Sequence, residues 1–145
     1  MGLKKPIVLV EDTEDDIELL RRSFKQLHID HPLVVLTNGA EAVDYFLRQG
    51  KYATEPLSPT PILVLLDLKL PKLSGLDVLK RLRDNDATKL LPVVVLTTSV
   101  EMRDKIQCYT LHANSYIQKP VNFDQFIETA RQIGTYWLTL NQALD

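Results

Sequence analysis

The sequence predicts a doubly wound α/β fold in which five helices cover a five-stranded parallel sheet. Two observations support this fold class. Short apolar runs alternate with amphipathic segments five times along the chain, which is typical of parallel strands joined by right-handed helical crossovers. The runs are also continuously apolar, as expected for a sheet that is covered on both faces. A length of 145 residues with 45% hydrophobic composition fits one ordinary globular domain.

The strands are predicted from short apolar runs rich in branched residues. In chain order they are Ile7–Val10, Leu33–Leu36, Ile62–Leu66, Val93–Leu96 and, more weakly, Ser115–Gln118. The stretch Lys51–Pro61 is rich in proline, serine and threonine, so we expect a surface loop before the third strand.

The first three helices are predicted from their start signals and apolar spacing. The first begins at Thr13, a favourable N-cap, with Asp16 in the position of its capping partner. The second spans Ala40–Arg48, and the third opens at Ser74 with Asp77 as its capping partner. Apolar residues recur at helical spacing in the first and third helices, at Ile17, Leu20, Phe24, Leu27, Leu76, Leu79 and Leu82.

The fourth and fifth helices complete the pattern. The fourth is predicted over Val100–Leu111 and places three apolar residues on one side, Met102, Ile106 and Tyr109. The fifth opens at Asn122 with Gln125 in the capping position and keeps its apolar register as far as Leu140, so we expect it to be the longest.

Composition excludes several classes of function and location. The net charge is −2 without long runs of one sign, so we expect no binding to nucleic acid or to an anionic membrane. A single cysteine, Cys108, cannot form an internal disulfide, and the apolar run that follows Met1–Pro6 is too short for a signal peptide. We therefore predict a cytoplasmic protein.

Polar residues follow the predicted strands at the end of the sheet where open α/β folds bind their ligands. These residues are Glu11, Asp12, Asp67, Thr97 and Lys119. Three carboxylates at one edge repel each other, and a hard divalent cation such as Mg2+ relieves this repulsion. A carboxylate at this position can attack a phosphoryl donor, while Mg2+, the lysine and the threonine hydroxyl each stabilise one oxygen.

Each of these residues also has a plainer interpretation. An acidic pair such as Glu11 and Asp12 is common at a solvated helix N-terminus, and Asp67 is a suitable turn residue. Thr97 is compatible with the end of a strand, and Lys119 with a surface lysine. Their coincidence at the ends of core strands favours the phosphoryl site.

Four segments of the chain resemble the response-regulator receiver family: Val8–Asp12, Leu65–Gly75, Pro92–Ser99 and Tyr116–Pro120. The resemblance covers almost the whole chain. It implies a single receiver domain over residues 1–145, with the flavodoxin-like (βα)5 fold that is also called CheY-like.

The resemblance assigns a role to each residue of the site. It implies that Asp67 is the phosphoacceptor and that Glu11 and Asp12 bind the metal, Mg2+. The family's third metal ligand is a backbone carbonyl, which falls on Lys69 in this sequence. Lys119 matches the family's active-site lysine.

Two further residues match the family's switch. Thr97 corresponds to the switch hydroxyl, and Tyr116 to an aromatic residue that turns inward when the hydroxyl moves toward the phosphoryl group. For Tyr116 the alternative is a half-buried strand aromatic with a packing role alone.

Within the family, the chain looks like the stand-alone regulators that partner cyanobacterial and bacterial phytochromes. The segments that carry this narrower resemblance are the Glu11–Asp12 pair, the run Thr97–Ser99, the long loop before the third strand, and Tyr136–Leu138. It implies a sensor histidine kinase, here a bacteriophytochrome, as one partner and a downstream protein as another.

The output is expected to be protein contact, including a homodimer through the fourth helix, the fifth strand and the fifth helix. Apolar bulk near the end of the fifth helix, at Tyr136, Trp137 and Leu140, suggests this surface. The alternative is that Trp137 packs back on its own domain.

One position departs from the family pattern. Many members carry Asn or Asp two residues after the phosphoacceptor, where this chain has Lys69. We expect its side chain to screen the phosphoryl group from water or to form a salt bridge with it, and so to prolong the phosphorylated state.

Three other functions are weighed against the receiver. An aspartate-based phosphohydrolase needs a second acid at the position of Lys69, and a flavin carrier needs a phosphate-binding loop where Glu11 and Asp12 stand. The strongest alternative is a pseudo-receiver that binds proteins without being phosphorylated. Every side chain that phosphorylation requires is present, which favours the receiver, and no enzymatic turnover beyond its own phosphorylation and dephosphorylation is expected.

Overall fold

The computed structural model describes residues 4–56 and 60–144. Part of the N-terminal segment assessed above as a signal peptide, and part of the predicted loop 51–61, lie outside these residues. The strands are β1 (Ile7–Val10), β2 (Leu33–Leu36), β3 (Leu63–Leu66), β4 (Val93–Thr97) and β5 (Ser115–Gln118). The helices are α1 (Glu14–Gln26), α2 (Gly39–Leu47), α3 (Gly75–Asp84), α4 (Met102–Thr110) and α5 (Phe123–Gly134).

The strands form one parallel sheet in the order β2-β1-β3-β4-β5, which confirms the predicted fold class. Ile7 aligns with Leu33 on one side and with Leu63 on the other, so β1 and β3 end at the same level. The chain first builds outward from β1 to β2 and then in the opposite direction from β3 to β5. Ligands bind at this reversal point in doubly wound sheets.

The core consists of two layers, one on each face of the sheet. Alternate residues of β1 supply both: Val8 and Val10 pack with α2 and α3, whereas Ile7 and Leu9 pack with α1 and α5. A strand that buries both faces needs an apolar residue at every position. This explains why the strands read as continuous apolar runs.

The predicted capping residues of α3 and α5 are confirmed. The predicted capping hydrogen bond of α1 is wrong. The side chain of Ser74 accepts from Asp77 N at 3.2 Å, and Asn122 accepts from Gln125 N at 2.9 Å. Thr13 is the N-cap residue of α1, but its side chain makes no capping hydrogen bond, and the backbone N–H of Thr13 donates to Glu11 Oε2 at 3.2 Å. The expected capping partner, Asp16, is used elsewhere.

Element boundaries differ from the predictions by one or two residues. β3 begins at Leu63 rather than Ile62, and Thr97 is the last residue of β4 rather than the first residue beyond it. A short 3-10 helix, Gly50–Tyr52, overlaps the start of the predicted loop. The loop signal from proline and serine did not detect this single turn.

The fourth helix is shorter than predicted, and its apolar stripe faces outward. Met102, Ile106 and Tyr109 are 64%, 57% and 50% exposed. Within α4, Cys108 is the residue that is fully buried and packs on the core. Helical spacing predicts that an apolar stripe exists, but not that it faces the core.

The fifth helix continues into a π-helical segment, Thr135–Leu140, which confirms that it is the longest. Trp137 is partly buried against the core layer of α1 and α5, so it packs on its own domain. Tyr136 and Leu140 remain exposed, at 49% and 62%. Beyond this segment, the carbonyl of Leu144 accepts a hydrogen bond of 2.5 Å from Lys5 Nζ, which brings the two ends of the described chain together.

In the stretches 4–56 and 60–144, none of the helices combines the length and the apolar composition that crossing a membrane requires.

Candidate functional site at the carboxyl ends of the strands

Three acidic side chains meet where β1 and β3 end. Glu11, Asp12 and Asp67 each bring a carboxylate oxygen within 4.8 Å of the other two. The strand register explains this, since Glu11 and Asp67 follow the paired residues Val10 and Leu66. Glu11 and Asp67 are only 2% and 7% exposed, whereas Asp12 is open to solvent. We call these three residues the acidic cluster.

A lysine is buried beside the acidic cluster. Lys119 Nζ lies 2.5 Å from Glu11 Oε1, 2.8 Å from Asp16 Oδ2 and 3.3 Å from Asp67 Oδ2. The backbone N–H of Lys119 donates to the carbonyl of Thr97 at 2.7 Å, which extends the pairing of β4 and β5 and fixes the base of the side chain. The ammonium group therefore has a carboxylate for each of its three N–H donors.

The charges in this region do not balance. The region holds four carboxylates and one ammonium group, since Asp12 and Asp16 join the two buried acids. Burial raises the pKa of Glu11, the hydrogen bond from Lys119 lowers it, and the charge of Asp67 raises it again, so that the net shift is upward. For Lys119, burial lowers the pKa, but the hydrogen bonds to Asp16 and Glu11 outweigh burial and raise it. Excess negative charge on hard oxygen ligands suits a divalent cation such as Mg2+ or Mn2+.

The segment after β3 folds back tightly on Asp67. Leu68 N donates to Asp67 Oδ1 at 2.7 Å, and Gly75 N donates to the carbonyl of Leu68 at 2.8 Å. A Cβ atom at Gly75 would lie 2.1 Å from the Asp67 carbonyl oxygen, which is far inside van der Waals contact. Glycine at this position allows α3 to begin directly against the backbone of Asp67.

Thr97 and Tyr116 are linked through Ser99. Thr97 is fully buried, and its Oγ1 accepts from Ser99 N at 3.3 Å. The carbonyl of Ser99 accepts from the Tyr116 hydroxyl at 3.0 Å, and the Ser99 hydroxyl donates to Asp104 of α4 at 2.6 Å. Tyr116 is half-buried against the core layer of α2 and α3. Among residues 4–56 and 60–144, the Thr97 hydroxyl has no hydrogen bond to the acidic cluster.

The structure thus gathers four of the predicted side chains, Glu11, Asp12, Asp67 and Lys119, at one point. The side chain of Lys69 is exposed in the segment between β3 and α3. Sequence reasoning missed the contact of Asp16 with Lys119. The available signal was its position in the first turn of α1, four residues after Asp12, but capping accounted for an acid at that position.

A large cavity lies away from this site. It measures about 910 Å³ and lies at the amino ends of β3, β4 and β5, where Pro92, Ser115, Trp137 and Leu144 line it. The acidic cluster and this cavity are therefore at opposite ends of the sheet.

A five-stranded doubly wound sheet, with buried acids and a buried lysine at its carboxyl ends, defines the class of CheY-like receiver proteins. Residues 7–131 match the family described as response regulator receiver domain, and the chain belongs to this family. It is therefore the receiver domain of a response regulator in two-component signalling.

The proteins similar to this chain include a cyanobacterial phytochrome response regulator. The chain is 41% identical to response regulator Rcp1 of Synechocystis sp. over 134 residues, which are 92% of this chain and 89% of that protein. The crystal structure of the phosphorylated cyanobacterial phytochrome response regulator RcpA is similar with a TM-score of 0.90 and 36% identity, covering 98% of this chain and 99% of that one. The Mn2+-bound form of Rcp1 gives a TM-score of 0.88 and 39% identity, covering 97% and 99%.

Proposed function

We propose that residues 1–145 form a single receiver domain that accepts a phosphoryl group on Asp67 in a reaction that requires Mg2+. The observation that carries this proposal is the position of the Asp67 carboxylate. It is 7% exposed, belongs to the acidic cluster, and lies 3.3 Å from the ammonium of Lys119. The negative charge of the acidic cluster exceeds the one positive charge of Lys119, which favours a cation beside Asp67.

The proposed transfer follows from the chemistry of a carboxylate nucleophile. An oxygen of Asp67 forms a bond to the phosphorus of a phosphohistidine in the kinase, and the P–N bond breaks. The imidazole leaves with the bonding electrons and takes a proton from solvent. Glu11, Asp12, Asp67 and the backbone carbonyl of Lys69 are the proposed metal ligands. When bound, Mg2+ supplies positive charge to the transferring oxygens.

Two side chains assist the transfer in this proposal. Lys119 pairs with one phosphoryl oxygen, since its ammonium already lies beside Asp67. Thr97 offers its hydroxyl to another. To do so, the Thr97 hydroxyl gives up the hydrogen bond from Ser99 N, which is 3.3 Å long in this structure.

The switch is proposed to run from Thr97 through Ser99 to Tyr116 and α4. Ser99 joins all of them by hydrogen bonds, to the hydroxyl of Tyr116 and to Asp104. When Thr97 turns to the phosphoryl group, Ser99 shifts, and Tyr116 is expected to leave the Ser99 carbonyl and turn inward. This changes the α4-β5-α5 surface, on which Met102, Ile106 and Tyr109 are exposed. Homodimerisation and binding of a downstream protein are the proposed outputs.

The partner that supplies the phosphoryl group is proposed to be a sensor histidine kinase, of the bacteriophytochrome type, in the cytoplasm. The similarity to the cyanobacterial phytochrome response regulator RcpA supports this choice.

The first test is the intact mass after incubation with acetyl phosphate, with and without Mg2+. The wild type is expected to gain one phosphoryl group that hydroxylamine removes, and Asp67→Asn to gain none. Asp77→Asn, an exposed acid in the first turn of α3, is the matched control and is expected to behave as wild type. No adduct on the wild type under any condition would establish the pseudo-receiver instead.

Dimerisation is tested separately by light scattering of the phosphorylated protein over a range of concentrations. A mass that rises toward that of two chains supports the dimer, and weakening by Ile106→Asp would locate it on α4, where this side chain is 57% exposed. A monomer mass that is independent of concentration would remove the dimer from the proposal.

Lys69 is proposed to lengthen the lifetime of the phosphorylated state. Its exposed ammonium lies two residues from Asp67, where it can screen the phosphoryl group from attacking water. Lys69→Asn is expected to lose the phosphoryl group several-fold faster than wild type, measured by the decay of the intact-mass adduct. Lys72→Asn, an exposed lysine of the same segment, is the control. Equal decay in wild type and Lys69→Asn would contradict the role of this side chain.

A further inference from the structure

In the described part of the chain, Asp16 is the one carboxylate beside Lys119 that lies outside the acidic cluster. Its Oδ2 is 2.8 Å from Lys119 Nζ, closer than the 3.3 Å between Lys119 Nζ and Asp67 Oδ2. Its side chain is 30% exposed, against 3% for Glu11 and 8% for Asp67. Lys119 therefore holds two carboxylates of the acidic cluster on its buried side and Asp16 on its more open side.

The local structure leaves Asp16 free for this contact. In a capping box, its carboxylate would accept from the backbone N–H of Thr13. That N–H donates to Glu11 Oε2 instead, at 3.2 Å. A side chain in the first turn of α1 is thereby directed to a residue 103 positions away in the chain.

Glu11 has two competing uses. It forms the shortest of the three contacts to Lys119, at 2.5 Å, and it belongs to the acidic cluster that suits a divalent cation. A carboxylate that ligates a hard cation has less charge to share with an ammonium group. With Glu11 and Asp67 holding a cation, Asp16 would be the partner of Lys119 whose charge is not shared with that cation.

We propose that Asp16 is a positioning residue that anchors Lys119 when the acidic cluster holds its cation. The anchored ammonium keeps one hydrogen bond to Asp16 and directs a released N–H toward the phosphoryl oxygens. Without Asp16, the flexible four-carbon side chain of Lys119 loses its fixed place as soon as Glu11 is engaged. This inference rests on the proposed phosphorylation of Asp67.

Asp15 provides a matched control. It is an exposed acid in the same first turn of α1, next to Asp16, and among the described residues it has no ion pair with Lys119. Asp15→Ala and Asp16→Ala remove the same charge from the same helix end, so their general electrostatic effects on cation binding are similar. A difference between the two variants therefore reports the contact with Lys119.

The first measurement does not depend on phosphorylation. In protein made with isotope-labelled lysine, the NMR signal of a hydrogen-bonded, buried ammonium group persists while those of solvated lysines are lost through exchange with water. The Lys119 signal is the one that disappears in Lys119→Arg. At saturating Mg2+, we expect this signal in wild type and in Asp15→Ala, and we expect it to be lost in Asp16→Ala. An unchanged signal in Asp16→Ala would overturn the proposal.

The second measurement separates positioning from charge. Phosphorylation by acetyl phosphate is followed against Mg2+ concentration, which gives a rate at saturating Mg2+ and an apparent Mg2+ constant. Asp16→Ala is expected to lower the saturating rate about tenfold, whereas Asp15→Ala leaves it within about twofold. Equal saturating rates would overturn the positioning role. A wild type that takes up no phosphoryl group would instead refute the proposed function, and the ammonium signal would still decide whether Asp16 anchors Lys119.

Discussion

A basic side chain is enclosed at each end of the sheet, but the two have opposite kinds of partner. Lys119, at the carboxyl ends of the strands, contacts three carboxylates. Among the described residues, Arg83, at the amino ends, donates only to neutral oxygens: the carbonyls of Lys89, Leu91 and His112 and the side-chain oxygen of Asn114. Burial lowers the pKa of Arg83, with no carboxylate to raise it.

We call the carboxyl ends of the strands, where the candidate site lies, the functional end, and the amino ends, where Arg83 lies, the structural end. Neutral carbonyls satisfy the guanidinium of Arg83 and tie the end of α3 to the segments before β4 and β5. At the functional end, the negative charge of the carboxylates exceeds the positive charge of Lys119, and this excess favours the binding of a cation.

The largest expected effect comes from Gly75→Ala, which places a methyl group against the backbone of Asp67 at the functional end. The new Cβ would lie 2.1 Å from the carbonyl oxygen of Asp67, so the loop or α3 must move. We expect a loss of more than about 3 kcal/mol in the free energy of unfolding, measured in urea. At Gly134 the nearest atom is the flexible Cδ1 of Ile29 at 3.0 Å, so Gly134→Ala should change it by less than about 1 kcal/mol. Similar losses in both would contradict the close approach at Gly75.

Arg83→Ala tests the structural end. It leaves the half-buried bond to the Leu91 carbonyl unmade and removes exposed bonds to the carbonyls of Lys89 and His112, and we expect a loss of about 1–3 kcal/mol in unfolding free energy, measured in urea. The rate of phosphorylation by acetyl phosphate should stay unchanged, because Arg83 is at the other end of the sheet. Arg81→Ala, an exposed arginine two residues earlier, is the control. If Arg83→Ala slowed phosphorylation as much as it destabilised the fold, the two ends would not be separate.

Removal of the metal should affect the functional end alone. At a Mg2+ concentration about ten times the dissociation constant, binding stabilises the folded state by about 1.4 kcal/mol relative to EDTA. Asp12→Asn should lose this gain, since Asp12 belongs to the acidic cluster but has no ion pair with Lys119 in the described part of the chain. Arg83→Ala should retain it. A gain that survives in Asp12→Asn would place the metal elsewhere.

The smallest effect concerns Cys108, a buried thiol that takes part neither in the ion pairs of Lys119 nor in the hydrogen bonds of Arg83. Burial raises the pKa of this thiol to about 11, and the charge of Asp104 adds to the shift. At pH 8 about one thiol in a thousand is then ionised. In the folded protein, the rate of reaction with Ellman's reagent should be limited by the rate at which the structure opens and exposes the thiol. Protein unfolded in urea should react at once. Rapid reaction of the folded protein would show that α4 opens easily.

The sequence was sufficient to predict the sheet and the carboxyl-end acids, because strand period and strand ends are local properties. It was not sufficient for Asp16 or Arg83. The sequence supports a local role for Asp16 at the start of α1, yet its partner is Lys119, distant in the chain. The partners of Arg83 are mainly backbone carbonyls, which no residue pattern reveals. The outward face of α4 was missed for a related reason, since periodicity defines a stripe but not its direction.

The contact between Lys5 and Leu144 has a practical consequence for attaching labels and reporters. Both residues lie at the amino end of the sheet, next to the large cavity and far from the acidic cluster. A fluorophore or a fused protein joined at either position would therefore leave the acidic cluster uncovered. Two different fluorophores, one on each residue, would lie side by side. The energy transfer between them would report whether the contact between Lys5 and Leu144 persists while the acidic cluster binds a cation or is phosphorylated.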